Sequence, residues 1–424
     1  MSKLKTYKFS QLYSMSSGIS SKPEQAGHGN PFLSFSTVFN NYFLPDNLND
    51  LMDTSETEQE TYSILKGDIF LTRTSEVVDE LGMSSVALKD YPKATYSGFL
   101  KRLRPTQTDV TYHKYMAFYL RSKLFRKTMT NNAVLTLRAS LNENIFSYLA
   151  LILPEYNQQV KSGDLLYLIN SKIELNNRIN AELESLAKTI YDYWFVQFDF
   201  PNADGKPYKS SGGEMVCVEG GGDRAIPAGW EIGTLYDLAN IAGGSTPSTA
   251  NPLNFCKNGS AWITPKDLSL NMGNKFISKG ELDVTEAGMK DASLKIFPKD
   301  TILLSSRAPI GYMAISRNDV TTNQGFKSFI PNKGFSTPFV YYAIKNSMQS
   351  IVQYASGSTF KEISLTSIKS IQVCLPDHIV VDLYTEKVKP IFRQQDILEQ
   401  ENQQLTQLRD WLLPMLMNGQ VSIK

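Results

Sequence analysis

Leu149-Ala-Leu-Ile-Leu-Pro-Glu155 and Ile371-Gln-Val-Cys-Leu-Pro-Asp377 carry one pattern twice: alternating apolar residues, a proline, an acid, and then a long charged stretch at helical spacing. A strand end that runs twice into a long amphipathic helix, behind divergent sequence, reads as two similar domains joined by two helical spacers. At 424 residues the chain exceeds what one core usually organises, which agrees with two domains. The expected fold class is α+β, with two pseudo-symmetric domains separated by a two-helix antiparallel coiled coil. The boundaries read as 1–156 for the first domain, 157–199 for a central spacer helix, 200–225 for a linker, 226–377 for the second domain and 378–424 for a C-terminal spacer helix.

Working outward, the repeat extends into each domain. Leu65-Lys-Gly-Asp-Ile-Phe-Leu71 is matched by Phe297-Pro-Lys-Asp-Thr-Ile-Leu-Leu304, and the strand opening at Phe99 by the one opening at Phe326. Helices are expected over 114–129 and 338–354, where apolar residues recur at helical spacing. Ser14 to Pro31 is rich in turn formers.

The first spacer shows Leu165, Ile169, Ile179, Leu183, Leu186, Ile190 and Tyr193 at alternating three-and-four spacing, with Lys172 and Asn176 interrupting the stripe. The second offers Leu398, Leu405, Leu408 and Leu412, with Asn402 in or near the seam. Narrow apolar stripes need partners, so the two helices should pair. Pro390 predicts a start or a kink, and a second helix shorter than the first. Pro201 to Gly213 and Gly220 to Gly222 read as a solvated linker. Gly220 to Gly222 lacks the preceding strand and following Gly-Lys-Ser/Thr of a phosphate cradle.

Composition excludes some functions. Forty-three Lys and Arg against 42 Asp and Glu leave a net charge of +1, unlike a nonspecific polyanion binder, although a balanced total can hide a basic face. Clusters at Lys101, Arg102 and Arg104, and at Arg121, Lys123, Arg126 and Lys127, are either such a face or ordinary solvated surface. The start of the chain lacks the apolar stretch of a signal peptide and no apolar run could span a bilayer, so a cytoplasmic protein without membrane contact is expected. Cys217, Cys256 and Cys374 are isolated, as are His28, His113 and His378, and no metal site is suggested. Trp230 and Trp262 suit core packing on strands.

Ile226-Pro-Ala-Gly-Trp-Glu231, Gly243-Gly-Ser-Thr-Pro-Ser248 and Trp262-Ile-Thr-Pro-Lys-Asp-Leu268 occur in the order found in DNA specificity subunits of Type I restriction-modification systems, which this chain resembles. Tyr191-Asp-Tyr-Trp-Phe-Val-Gln-Phe198 and Leu408-Arg-Asp-Trp-Leu-Leu-Pro-Met-Leu-Met-Asn-Gly419 resemble the ends of that family's two helices. The resemblance implies a non-catalytic subunit that reads a bipartite, non-palindromic site on double-stranded DNA. It also implies partners, two methyltransferase (M) subunits and nuclease/translocase (R) subunits. This chain would bind no cofactor, with S-adenosylmethionine, ATP and Mg held by the partners.

Base-edge readers are then expected among side chains with paired donors or acceptors. They are Arg73, Thr74 and Arg138 in the first domain, and Ser245, Thr246, Lys266, Arg307, Asn323, Gln324 and Lys361 in the second. Two other readings stay open: a stand-alone bilobed nuclease or methyltransferase, which would act without partners, and a structural adaptor that reads no bases. No adenine-methylation string or Walker lysine is present in the sequence. As the length of the helix pair should set the gap between half-sites, deleting whole turns between Ile169 and Ile179 is expected to change the spacer and leave both half-sites unaltered in methylome sequencing. Altered half-site bases at unchanged spacing would contradict it.

Overall fold

The computed structural model describes residues 4–20, 22–75, 81–132, 134–135, 139–140, 149–217, 225–307, 309–355 and 362–423. Two compact units emerge. One comprises Met1–Leu175 with Gln403–Lys424, the other Asn176–Asn402, so each unit holds one domain and a stretch of both long helices.

In the first unit, Lys5–Lys8 pairs antiparallel with Ala150–Leu153, so the repeated strand end closes the domain against its own beginning. Inside lies a sheet in the order Tyr13–Ser17, Leu100–Pro105, Ile69–Thr72, Ser84–Val86. A smaller sheet is ordered Asp50–Met52, Ala26–Leu33, Thr95–Tyr96. The stretch read as turns from Ser14 to Pro31 is thus largely strand. Its glycines Gly27 and Gly29 adopt positive φ inside an irregular ladder, and this accounts for its turn-like composition.

The second unit repeats the plan. Glu231–Thr234 pairs antiparallel with Gln372–Leu375. The main sheet runs Asn240–Gly243, Phe326–Ile330, Ile302–Ser306, Ile310–Ser316, Phe276–Ile277. In each domain the expected helix is broken at one place, giving His113–Tyr119 with Lys123–Asn132, and Thr337–Asn346 with Met348–Gln353. At the first break the Ser122 hydroxyl accepts from the Phe125 N–H and starts a fresh turn. Trp230 and Trp262 are both buried.

The long helices are Tyr156–Tyr191 and His378–Met417. The α-helical part of the second is the longer, 40 residues against 36, and it continues through Pro390. The ring removes one backbone bond, but Val388 and Phe392 on either side are buried in the second domain's core and hold the helix in place. The first helix ends in a wide turn, with the Gln197 N–H donating to the Asp192 carbonyl five residues back. That extra residue lets Trp194 and Phe195 both enter the core. Beyond it, Phe200 stacks between Tyr208 and Trp230 at centroid distances of 4.6 and 5.0 Å, so the linker begins as an ordered turn anchored by rings, while 203–206 and 209–212 are exposed as a solvated linker requires.

Within the second unit the helices pair antiparallel. Asn176 Nδ2 donates to Glu401 (2.7 Å) and Asn402 (2.9 Å), Asn402 donates to Asn177 (2.8 Å), and Gln395 donates to the Asn180 carbonyl (3.3 Å). Residue numbers climb on one helix as they fall on the other. In the first unit, Arg409 likewise meets Asn170 and Gln158 meets the Ile423 carbonyl.

The seam differs from the expected apolar stripe. Ile169, Asn170, Asn176, Asn180, Ala187 and Tyr191 are buried on the first helix, while Ile179 and Leu186 are exposed and Leu183 and Ile190 half-buried. On the second helix Leu398 is buried, Leu405 and Leu412 are half-buried, and Leu408 is exposed. The displacement arises because each helix packs on a domain as well as on its partner.

That second contact is ionic in the second unit. Lys275, buried at the start of a strand, places its ammonium 2.6 Å from Glu184 and 2.7 Å from Gln395 Oε1, over the Phe392 ring at 3.8 Å. The backbone N–H groups of Lys275 and Phe276 donate to the Glu399 carboxylate at 2.6 and 3.1 Å, and Arg317 bridges Glu399 and Asp396. Burial alone would raise the Glu184 carboxyl, but Lys275 and Lys345 outweigh it and hold it down at about 2. Removing one member of a buried pair strands the other. Lys275→Met is expected to lower stability by about 3 kcal/mol in urea unfolding followed by tryptophan fluorescence. Adding Glu184→Gln should cost less than the two single losses combined, and strict additivity would show that the pair is not coupled.

Candidate nucleic-acid interface

Both domains build the same backbone edge at the ends of their central strands. In the second, the Ser306 N–H donates to the Gly325 carbonyl (2.7 Å), Ser245 to Thr322 (3.0 Å) and Asn323 to Ile263 (3.1 Å). In the first, Arg73 donates to Phe99 (2.9 Å), Ile19 to Tyr96 (2.9 Å) and Ser97 to Leu33 (3.0 Å). The strand registers agree, since Leu71 faces Lys101 as Leu304 faces Lys327. Thus Ile19 corresponds to Ser245, Arg73 to Ser306, Thr74 to Arg307, and Ser97, Gly98 and Phe99 to Asn323, Gln324 and Gly325.

A glycine makes each edge possible. A Cβ at Gly18 would lie 2.3 Å from the carbonyl oxygens of Tyr96 and Ser97, and one at Gly244 would lie 2.2 Å from the Thr322 carbonyl oxygen. Only a residue without a side chain lets the neighbouring strand come so close.

In the second domain the structure brings Ser245, Arg307, Asn323 and Gln324 to this edge. Arg307 forms a cross-strand bridge with Glu362, its Nη1 3.7 Å from the carboxylate, and the buried Lys327 ammonium lies 3.4 Å from the same carboxylate. The Asn323 side-chain oxygen accepts from the Gly325 N–H (2.9 Å), which fixes the turn, and Gln324 is exposed. The Trp262 indole N–H donates to the Ser245 carbonyl (3.3 Å) and anchors the adjoining loop, where Thr246 is half-buried. Lys266 follows Pro265, which packs beside Gly325, but its ammonium is taken by Glu281 at 2.6 Å.

In the first domain Arg73 is exposed at the matching edge, and Thr74 pairs by backbone with Ser140. Arg138 and Lys361 lie outside the described residues, as does Gly220 to Gly222. Sequence reading missed Glu362, Lys327 and the glycines Gly18 and Gly244, and it took Lys101 as part of a basic cluster without its match to Lys327 or its burial. Their signal was the shared apolar-Lys step, Leu100-Lys101 and Phe326-Lys327, once aligned by strand register rather than by the nearest phenylalanine.

The arginines of the basic clusters, and Lys101, which donates to the Ser17 hydroxyl, have internal roles. Arg104 makes a two-pronged pair with Asp68, and Arg102 donates to the Ser63 carbonyl (2.6 Å). Arg121 donates to the carbonyls of Ser84, Val38, Phe39 and Asn41, and burial brings its guanidinium down to about 10. Arg126 donates to Leu81, leaving Lys123 and Lys127 exposed.

Comparison with known proteins gives a consistent family. The sequence profile of the Type I restriction modification DNA specificity domain matches residues 7–185 and again 227–407. The chain is similar to the Type I restriction enzyme MjaIX specificity subunit of Methanocaldococcus jannaschii, 39% identical over 183 residues, which covers 41% of this chain and 42% of that protein. It is 28% identical over 325 residues to the HindI specificity subunit of Haemophilus influenzae, covering 65% and 70% of the two chains. The crystal structure of the S subunit from M. genitalium shares the fold at a TM-score of 0.64 and 14% identity, over 98% of this chain and 96% of that one.

The edge's dependence on close approach is testable by paired substitutions. Gly244→Ala is expected to lower stability by about 1–3 kcal/mol, since Thr322 and Asn323 backbone must shift. Gly243→Ala, whose Cβ would sit 3.7 Å from the nearest atom, should change it by under about 0.5 kcal/mol in the same denaturation assay.

Proposed function

The chain belongs to the Type I restriction-modification DNA specificity family, and from that premise we propose that it is the sequence-reading, non-catalytic subunit of such a complex. It recognises a bipartite, non-palindromic DNA site, one half with each domain. The observation that carries this reading is the duplicated edge: one backbone frame, built twice, presenting Arg73, Ser97 and Phe99 in one copy and Arg307, Asn323 and Gln324 in the other. A common frame suits phosphate positioning, while unlike side chains suit unlike base sequences.

The chemistry belongs to partners that bind S-adenosylmethionine, ATP and Mg. The helices supply a reason to expect two methyltransferase subunits. Ile179 and Ile397 occupy matching places in the repeat and are both exposed, as do Tyr193 and Trp411. Large apolar side chains presented twice in the same context suit two copies of one partner.

Deleting the gene is expected to abolish one bipartite adenine-methylated motif in the host methylome, and an unchanged motif list would refute the reading. Arg307→Ala should reduce discrimination at one base pair of one half-site by about 10- to 100-fold, with the other half-site unaffected. Uniform weakening across all sequences would instead make Arg307 a phosphate contact.

A further inference from the structure

We propose that Phe99 is a specificity-determining residue of the first domain, which reads the 5-methyl group of a thymine in the major groove. The proposal rests on the DNA-reading function above and adds a residue and a chemical group to it. Phe99 is 64% exposed and is the only phenylalanine among the described residues on the exposed side of the surface. Nothing in folding explains the position, because an exposed benzyl group forgoes the burial that its size would otherwise contribute.

The turn holds it there. Leu100 N–H donates to the Ser97 carbonyl (2.9 Å), the Phe99 N–H to the Ser97 hydroxyl (3.3 Å) and the Gly98 N–H to the Ile19 carbonyl (2.7 Å). Leu100 opens the strand and is fully buried, whereas Phe99, in the turn just before it, is exposed. The Phe99 carbonyl accepts from the Arg73 N–H, so the ring stands on the same edge as an exposed guanidinium. In the second domain the matching position is Gly325, where a Cβ would already lie 3.1 Å from Asn323 Oδ1 and Pro265 Cγ and 3.6 Å from Arg307 Nε, so that any side chain there displaces its neighbours. One edge therefore offers amide and guanidinium groups, and the other a ring beside an arginine. The floor of the major groove carries one apolar feature, the thymine methyl, and Phe is among the side chains that contact it.

The test uses the chain assembled with its methyltransferase subunits and duplexes bearing its own methylated motif, each thymine replaced in turn by uracil. One replacement should weaken binding about fourfold, the worth of one buried methyl group. Phe99→Ala should bind the thymine and uracil duplexes equally, at the wild-type affinity for the uracil duplex, while gel filtration shows the same subunit composition. Phe99→Leu should restore part of the discrimination. The proposal is overturned if no uracil replacement affects the wild type, if the effect survives in Phe99→Ala, or if Phe99→Ala sheds a methyltransferase subunit. Should the wild-type complex fail to distinguish its motif from a scrambled duplex, the DNA-reading function falls with it. Discrimination that ignores thymine methyls removes this inference alone.

Discussion

Each domain depends on one long-range closure, the antiparallel pairing of a strand near its start with its last strand. Lys5–Lys8 meets Ala150–Leu153, and Glu231–Thr234 meets Gln372–Leu375. The closure confines everything between to a sheet-centred core and delivers the chain, at Pro154 and Pro376, straight into a long helix. Loop-closure entropy grows slowly with length, so joining segments so far apart is affordable once a core lies between them. Two closures of one kind give two domains of one kind, and divergence is left to the strand ends and turns.

What differs between the copies is how a domain meets the helices. The second adds buried charge to ring contacts such as Tyr191 with Phe339 and Tyr342, with Lys275, Arg317, Glu184 and Glu399 joined to Gln395. The first uses rings, with Phe43 edge-on to Tyr167 at 5.1 Å and Lys114 over the same ring at 4.2 Å while pairing with Asp164. Buried charge contributes less to stability than to geometry, because each group must be satisfied in one arrangement. The polar seam at Asn176 and Asn402 works similarly: amides facing amides define which turn of one helix meets which turn of the other.

The repeat, the two domains and the paired helices were legible in sequence because they rest on periodicity, on Pro and Gly punctuation and on order. Register was not. Phe99 and Phe326 look equivalent in the string, yet strand pairing aligns Leu100 with Phe326, and a slip of one residue turns a side chain from core to surface. The seam was misread for a related reason. Ile179 and Leu186 keep coiled-coil spacing, but a helix that also packs against a domain has its buried face rotated, so Asn176 and Ala187 take the inner places. The ionic cluster was invisible because Glu184, Lys275 and Glu399 are brought together only by the fold. Arg307, Asn323 and Gln324 were legible as candidates by donor geometry, whereas Glu362, which sits between two cations, needed the cross-strand pairing.

A cryo-electron microscopy map of the assembled complex on its own methylated motif, at a resolution that shows bases, tests the central claim most directly. The account predicts the turn at Ser97 to Phe99 against base edges of one half-site and the turn at Asn323 to Gly325 against those of the other. Both turns facing solvent or touching only phosphates would contradict it.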